Sequence, residues 1–151
     1  MRNVCLPTKT YIETRFLGDV LLDVLAGRQP FVVASAQALN VVTQMQVQGY
    51  VSGHAVTNIF YILRRQVGSE TARQLLSRLL QHLQVASVTD RVIRAALQSS
   101  TADFEDAVTI SAANAAEVEV IVTRNIPDFE ASIIPAVSPE EFLLMPLEQI
   151  D

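Results

Sequence analysis

Apolar residues recur along this chain in two rhythms, and the alternation between them sets the architecture. Short apolar runs of strand length occur at residues 10–17 ("TYIETRFL"), 50–53 ("YVSG"), 84–88 ("QVASV"), 118–123 ("VEVIVT") and 132–137 ("SIIPAV"). In the first, Ile12, Thr14 and Phe16 share one face at the two-residue period of a strand. Longer segments with helical spacing separate these runs. Gly18 breaks the first strand, and Asp19 is placed to cap the helix "VLLDVLAG", which closes at Gly27. "QPF" starts another helix. "VVASAQALNVVTQMQVQG" (32–49) sets Val33, Ala36, Val41 and Met45 at helical intervals and reads as a helix ending at Gly49. Helices are also predicted over 55–68, over 69–83 with Ser69 as N-cap and a strong apolar stripe, and after Thr89 as the cap of "DRVIRAALQSS". "DFEDAVTISAANAAE" is a further helix, and "SPEEFLLM" the last, with Pro139 at its first position. Alternation of this kind predicts an α/β fold in three layers, a central, mostly parallel sheet flanked by helices. We expect one domain over residues 1–151, with loose ends at 1–9 and 146–151.

Composition narrows the class. The 151 residues are enough for one substantial core, and half of them are hydrophobic. No apolar run approaches the roughly 18–20 residues of a membrane span, and the opening "MRNVCLPTK" lacks the apolar stretch of a signal peptide. Cys5 is the only cysteine, which removes a disulfide framework and a cysteine zinc site. The expectation is a cytoplasmic protein without membrane contact. A net charge of −5 argues against broad, charge-driven nucleic-acid binding, though not against meeting a phosphodiester through a bound cation. Two histidines, His54 and His82, leave little room for histidine-based catalysis, and neither is a metal candidate. There is no Gly-rich phosphate loop, no G-x-S-x-G elbow and no repeat. Chemistry here has to be built from carboxylates and amides.

Open parallel sheets bind ligands beyond the carboxyl ends of their strands. Asp19 follows the first predicted strand; His54, Thr57 and Asn58 follow the second; Thr89 and Asp90 the third; Thr123, Asn125 and Asp128 the fourth. Asp103 and Asp106 open a helix that returns from the far end of the sheet. Their spacing puts both carboxylates on one helical side, where they repel unless a cation lies between them. Hard oxygen donors of this kind suit Mg2+ or Mn2+, which can activate water and clamp a phosphodiester. The same spacing also satisfies free N–H groups and complements the dipole at a helix start with no metal at all. Asn125 and Asp128 can equally be turn formers around Pro127, and Asn58 a buried amide satisfied by backbone. Arg64, Arg65, Arg73, Arg78, Arg91 and Arg94 read as solvated helix faces, some within reach of RNA phosphates. Spacing alone leaves these alternatives open.

"VLLDVLAGRQPF", "TNIFYILRR", "DFEDA", "VTRNIPDF" and "SPEEF" occur in an order and spacing that resembles PIN domains, closest to the VapC-like toxins of type II toxin–antitoxin pairs. The resemblance runs from about residue 16 to 144, and "DFEDA" with "TRNIPDF" carries most of it. It implies a small α/β fold that gathers acidic residues around Mg2+ or Mn2+ and hydrolyses RNA. Asp106 then matches the acid opening the penultimate sheet-covering helix, with Asp103 beside it. Thr123, Asn125 and Asp128 match the last polar positions of the site. Asn58 stands where many PIN domains have a glutamate, and "LGD" replaces the usual "DTN" of the first motif, so Asp19, or else Glu13, would supply the first acid. The expected metal ligands are Asp19, Asp103, Asp106 and Asp128, with Asn58, Thr123 and Asn125 placing water or phosphate. An antitoxin protein and a homodimer are the implied partners, and the apolar stripe of 69–83 is a candidate surface for either. A catalytically silent PIN-like domain that binds RNA or a partner protein is the alternative. A small-molecule α/β binding domain would leave the acid cluster unexplained.

Overall fold

The structure, a computed structural model, describes residues 9–12, 37, 40 and 47–145. Five strands, β1 (Lys9–Ile12), β2 (Gln48–Ser52), β3 (Leu83–Ala86), β4 (Val120–Val122) and β5 (Ala136–Val137), form one sheet in the order β3-β2-β1-β4-β5. Every neighbouring pair is parallel. Among the described residues, five helices with defined bounds accompany them: α1 (Gly53–Val67), α2 (Ser69–Leu79), α3 (Asp90–Leu97), α4 (Phe104–Ala115) and α5 (Pro139–Leu143). The predicted fold class therefore holds. The chain builds outward from β1 through β2 to β3, then returns to the other side of β1 for β4 and β5. That reversal creates a switch point at the carboxyl ends of β1 and β4, the place where such sheets open a crevice.

The strands alternate between two cores, as a two-residue period requires. Ile12, Val51, Val120 and Val122 face one layer with Ala55, Ile59 and Leu63 of α1, Ala72, Leu76 and Leu79 of α2 and Phe142 of α5. Tyr11, Tyr50, Ala86 and Ile121 face the other, with Val92 and Ala96 of α3, Ala107, Val108, Ile110, Ala112 and Ala113 of α4 and Phe129. The stripe on α2 is thus spent in the core: Ala72 is fully buried and Leu76 and Leu79 nearly so.

Local details differ from the sequence reading in instructive ways. Gln37 and Asn40 are helical, but the predicted helix over 32–49 runs too far, because Gln48 and Gly49 already belong to β2. Gly49 is paired with Thr10 on one side and Leu83 on the other, so sheet pairing overrides its suitability as a helix terminator. β1 begins at Lys9, within the expected loose end, where the Lys9 carbonyl accepts from Glu119 N–H at 2.8 Å. Helix α2 is capped by no side chain: Gly68 holds the N-cap position with φ 84° and Ser69 is the first helical residue. It ends at Leu79, and residues 80–82 turn into β3. Thr89 caps α3 through Val92 N–H, and Ser138 and Glu141 form a reciprocal capping box behind Pro139. The Asp19 helix and Glu13 lie outside the described residues, as does the tail from 146. No helix among the described residues is long and apolar enough to cross a membrane.

Candidate metal centre

Helix α4 decides the site. Asp103 precedes it in extended backbone conformation and accepts from Asp106 N–H through Oδ1 at 3.0 Å. The helix-cap reading is therefore correct as far as it goes, and it fixes the two carboxyl groups relative to each other. One oxygen of Asp103 remains outside this cap. Asp106 is only 9 % exposed, whereas Asp103 is open to solvent. Placing a carboxylate that deep costs free energy unless charge or hydrogen bonds compensate it.

The second contribution comes from the segment after β4. Thr123 is fully buried, its N–H donates to the Val137 carbonyl, and its hydroxyl accepts from Asn125 N–H at 2.9 Å. The chain then enters a 3-10 turn (Ile126–Phe129), closed by Asp128 N–H donating to the Asn125 carbonyl at 3.0 Å. Phe129 is driven into the core at 2 % exposure and anchors the turn. Asn125 and Asp128 thus do form a turn around Pro127. That turn also delivers Asp128 to α4: Asp103, Asp106 and Asp128 line one open cleft of about 290 Å³, together with Ser100, Thr101 and Glu130.

Asn125 and Asn58 do not line this cleft. Asn58 is exposed, not a buried amide, and its Nδ2 donates to Glu105 on the adjacent side of the α4 start. Ser52 Oγ accepts from Ala55 N–H as the cap of α1 and lies 2.8 Å from His54 Nδ1. His54 is half-buried with Nε2 enclosed and without a hydrogen-bond partner. Burial holds its pKa below the ordinary 6.5, against the opposing pull of the Glu105 carboxylate. The described part of the site thus has two flanks: the acid cleft, and an Asn58–Glu105–His54 group between α1 and α4.

Sequence reasoning singled out Asp103, Asp106 and Asp128 together, and passed over Glu105 and Glu130 as site residues. Glu130 was signalled only by lying two residues past Asp128. Glu105 stood between the two aspartates, but its direction depends on how α4 faces α1, which no local pattern records. No group of three or more histidine, cysteine or acidic side chains arranged for a metal occurs among the described residues, a set without Asp19.

A family model described as PIN domain matches residues 18–127, well over half of the chain. The chain belongs to the PIN domain family. No curated protein matches it in sequence. Among solved structures, this PIN domain is similar to a toxin–antitoxin complex from Klebsiella pneumoniae (20% identity, TM-score 0.63, 86% of this chain and 97% of that one). It is also similar to VapBC2 from Rickettsia felis bound to a DNA fragment from their promoter (13%, 0.65, 86% and 98%) and to FitAB bound to the IR36 DNA fragment (15%, 0.64, 86% and 94%). At these identities the likeness is one of fold.

Proposed function

We propose that this PIN domain is a Mg2+- or Mn2+-dependent endoribonuclease, the toxin of a type II toxin–antitoxin pair, acting in the cytoplasm. The observation that carries the reading is the convergence of Asp103, Asp106 and Asp128 on one cleft at the carboxyl edge of a parallel sheet. Their hard oxygen donors are of the type that a small divalent cation takes, and Asp106 is only 9 % exposed; the set would be completed by Asp19, outside the described residues. A bound divalent ion would supply charge to neutralise a phosphodiester and acidity to activate water. Asp103, Asp106 and Asp128 would hold it, with Asp19 as the fourth ligand in this proposal. Asn58 and Asn125 would orient water or phosphate through their amides, with Thr123 fixing the Asn125 backbone. The relatives of like fold that are toxin–antitoxin complexes support an antitoxin partner for this chain, and a homodimer is part of the same proposal.

Two observations favour the second reading, a catalytically silent PIN-like domain that binds RNA or a partner protein. An oxygen of Asp103 is already committed to the helix cap, and Asn58 contributes no charge. Thermal unfolding with and without Mn2+ separates the two. At Mn2+ about 100-fold above its Kd the fold gains about 2.7 kcal/mol, which raises Tm by roughly 5–10 °C for a chain of this size. Asp106→Asn should abolish that shift and lower RNA cleavage by about two orders of magnitude or more. Wild-type protein whose Tm ignores Mn2+ would support the silent reading.

A further inference from the structure

The outer side of α1 carries an aromatic and basic strip, on a chain whose net charge is −5. Asn58, Tyr61, Arg64 and Arg65 are all exposed and lie on one side of the helix, opposite Ala55, Ile59 and Leu63 in the core. At about 1.5 Å of rise per residue the strip is roughly 10 Å long. Its near end adjoins the acid cleft, because Asn58 is bonded to Glu105, the sequence neighbour of Asp106.

Tyr61 keeps 53 % of its surface in solvent, and its ring has two close neighbours. Phe60 meets it edge-on with centroids 5.3 Å apart, and the Arg64 guanidinium lies 5.8 Å from its centroid. Arg73 of α2 sits at 5.9 Å over Phe60. Arg64, Arg65 and Arg73 make no ion pair among the described residues, whereas Arg94 is paired with Asp90. Basic residues in the last turn of a helix suit its dipole. That accounts for Arg64 and Arg65 but not for a large aromatic ring left in the open one turn from Asn58.

We propose that this side of α1 is the track along which single-stranded RNA reaches the acid cleft, a base stacking on Tyr61 and neighbouring phosphates meeting Arg64 and Arg65. The inference rests on the phosphodiester-hydrolysis reading above. A ring face accepts any base that is not already stacked in a duplex, which selects for single strands rather than for sequence. Guanidinium forks match phosphate oxygens and compensate locally for the net charge of −5.

The test is fluorescence anisotropy of a short fluorescein-labelled single-stranded RNA with the full chain in Ca2+, across a salt series. Tyr61→Ala should weaken binding roughly 5- to 100-fold, and Tyr61→Phe should restore it to within about twofold. Arg64→Ala with Arg65→Ala should reduce the slope of log affinity against log salt by about 1.4, the share of two phosphates on a single strand. Arg91→Ala with Arg94→Ala, an equal charge change on α3, should alter neither. Unchanged RNA affinity in the α1 variants overturns the track, and so does unchanged affinity joined to altered self-association in sedimentation, which would make the strip a protein interface. Wild-type protein that binds no RNA overturns it as well. The Mn2+ response of Tm in the same samples reports separately on the metal centre: RNA binding that needs Tyr61 without any Mn2+ response would keep the track and remove the hydrolase reading.

Discussion

Helices α1 and α4 start side by side at the carboxyl edge of the sheet and meet through Asn58 and Glu105, but they are built on opposite plans. Helix α1 is one-sided: Ala55, Ile59 and Leu63 are fully buried while its outer side is polar, aromatic and open. Helix α4 is enclosed on nearly every side, with Asp106 to Ile110, Ala112 and Ala113 all buried. Its alanines let it lie close to the sheet, so the direction of its polar start is set by packing. In α4 stability and site geometry are therefore the same property. In α1 they are separable, since the groups that would meet a substrate contribute little to the core.

The sharpest way to break this contrast is within α1 itself. Ile59→Ala should cost about 2–5 kcal/mol by chemical denaturation, as a buried large-to-small change does. Tyr61→Ala, two residues on, should stay within about 0.5 kcal/mol. Comparable losses at both positions would mean the outer side is packed after all.

At the start of α4, cap and charge can be pulled apart. Asp103→Ala should lose about 0.5–2 kcal/mol whether or not metal is present, because Asp106 N–H loses its acceptor. Asp103→Asn keeps an acceptor there, so stability should hold within about 0.5 kcal/mol while the Mn2+-induced rise in Tm shrinks. An Asp103→Asn protein with a full Mn2+ response would reduce Asp103 to a cap.

The seam between the two helices should be sensitive to pH. Burial lowers the His54 pKa while Glu105 raises it, and the net shift is downward from 6.5. Between the folded and unfolded values the unfolded chain binds more protons, so stability falls as pH drops below 6.5 and levels off below the folded pKa. Melting curves taken from about pH 7.5 to about pH 5 should show this slope in wild type and lose part of it in His54→Gln. Glu105→Gln removes the opposing carboxylate and should deepen the acid-side loss.

The smallest effect concerns how the helices end. Helix α1 stops on Gly68 at φ 84°, but α4 passes into Glu117 at φ 61°, where Val118 N–H bonds the Ala113 carbonyl and Glu117 N–H the Asn114 carbonyl. Left-handed backbone strains a residue with a Cβ, and a carboxylate is poorly placed at a helix C-terminus. Glu117→Gly should raise stability by up to about 1 kcal/mol in denaturant titration.

Much of this was legible in the chain. The strand–helix alternation, Thr89, Asp103 and Pro139 all signal structure through neighbours a few residues away, and those signals held. The convergence of Asp103, Asp106 and Asp128 was legible because strand ends in a parallel sheet share one edge. Gly49 misled because its role is fixed by strands on either side of it, not by its own helix-ending tendency. Asn58 was open to a buried reading because most of its helix is apolar, while its partner Glu105 is 47 residues away. Pairings of that kind exist only once the layers have assembled.

Strand β1 sits at the middle of the sheet, and it is joined to β2 on one flank and β4 on the other. Lys9 meets Glu119 across 110 residues of sequence. On the ribosome, the central strand therefore waits for about 110 further residues before its second flank is closed. Partners so distant make folding slow, and the unsealed strand edge is a route to misassembly in the meantime. The same ordering delays the acid cleft, which cannot form before Asp128 has emerged and its turn has docked beside Asp103 and Asp106.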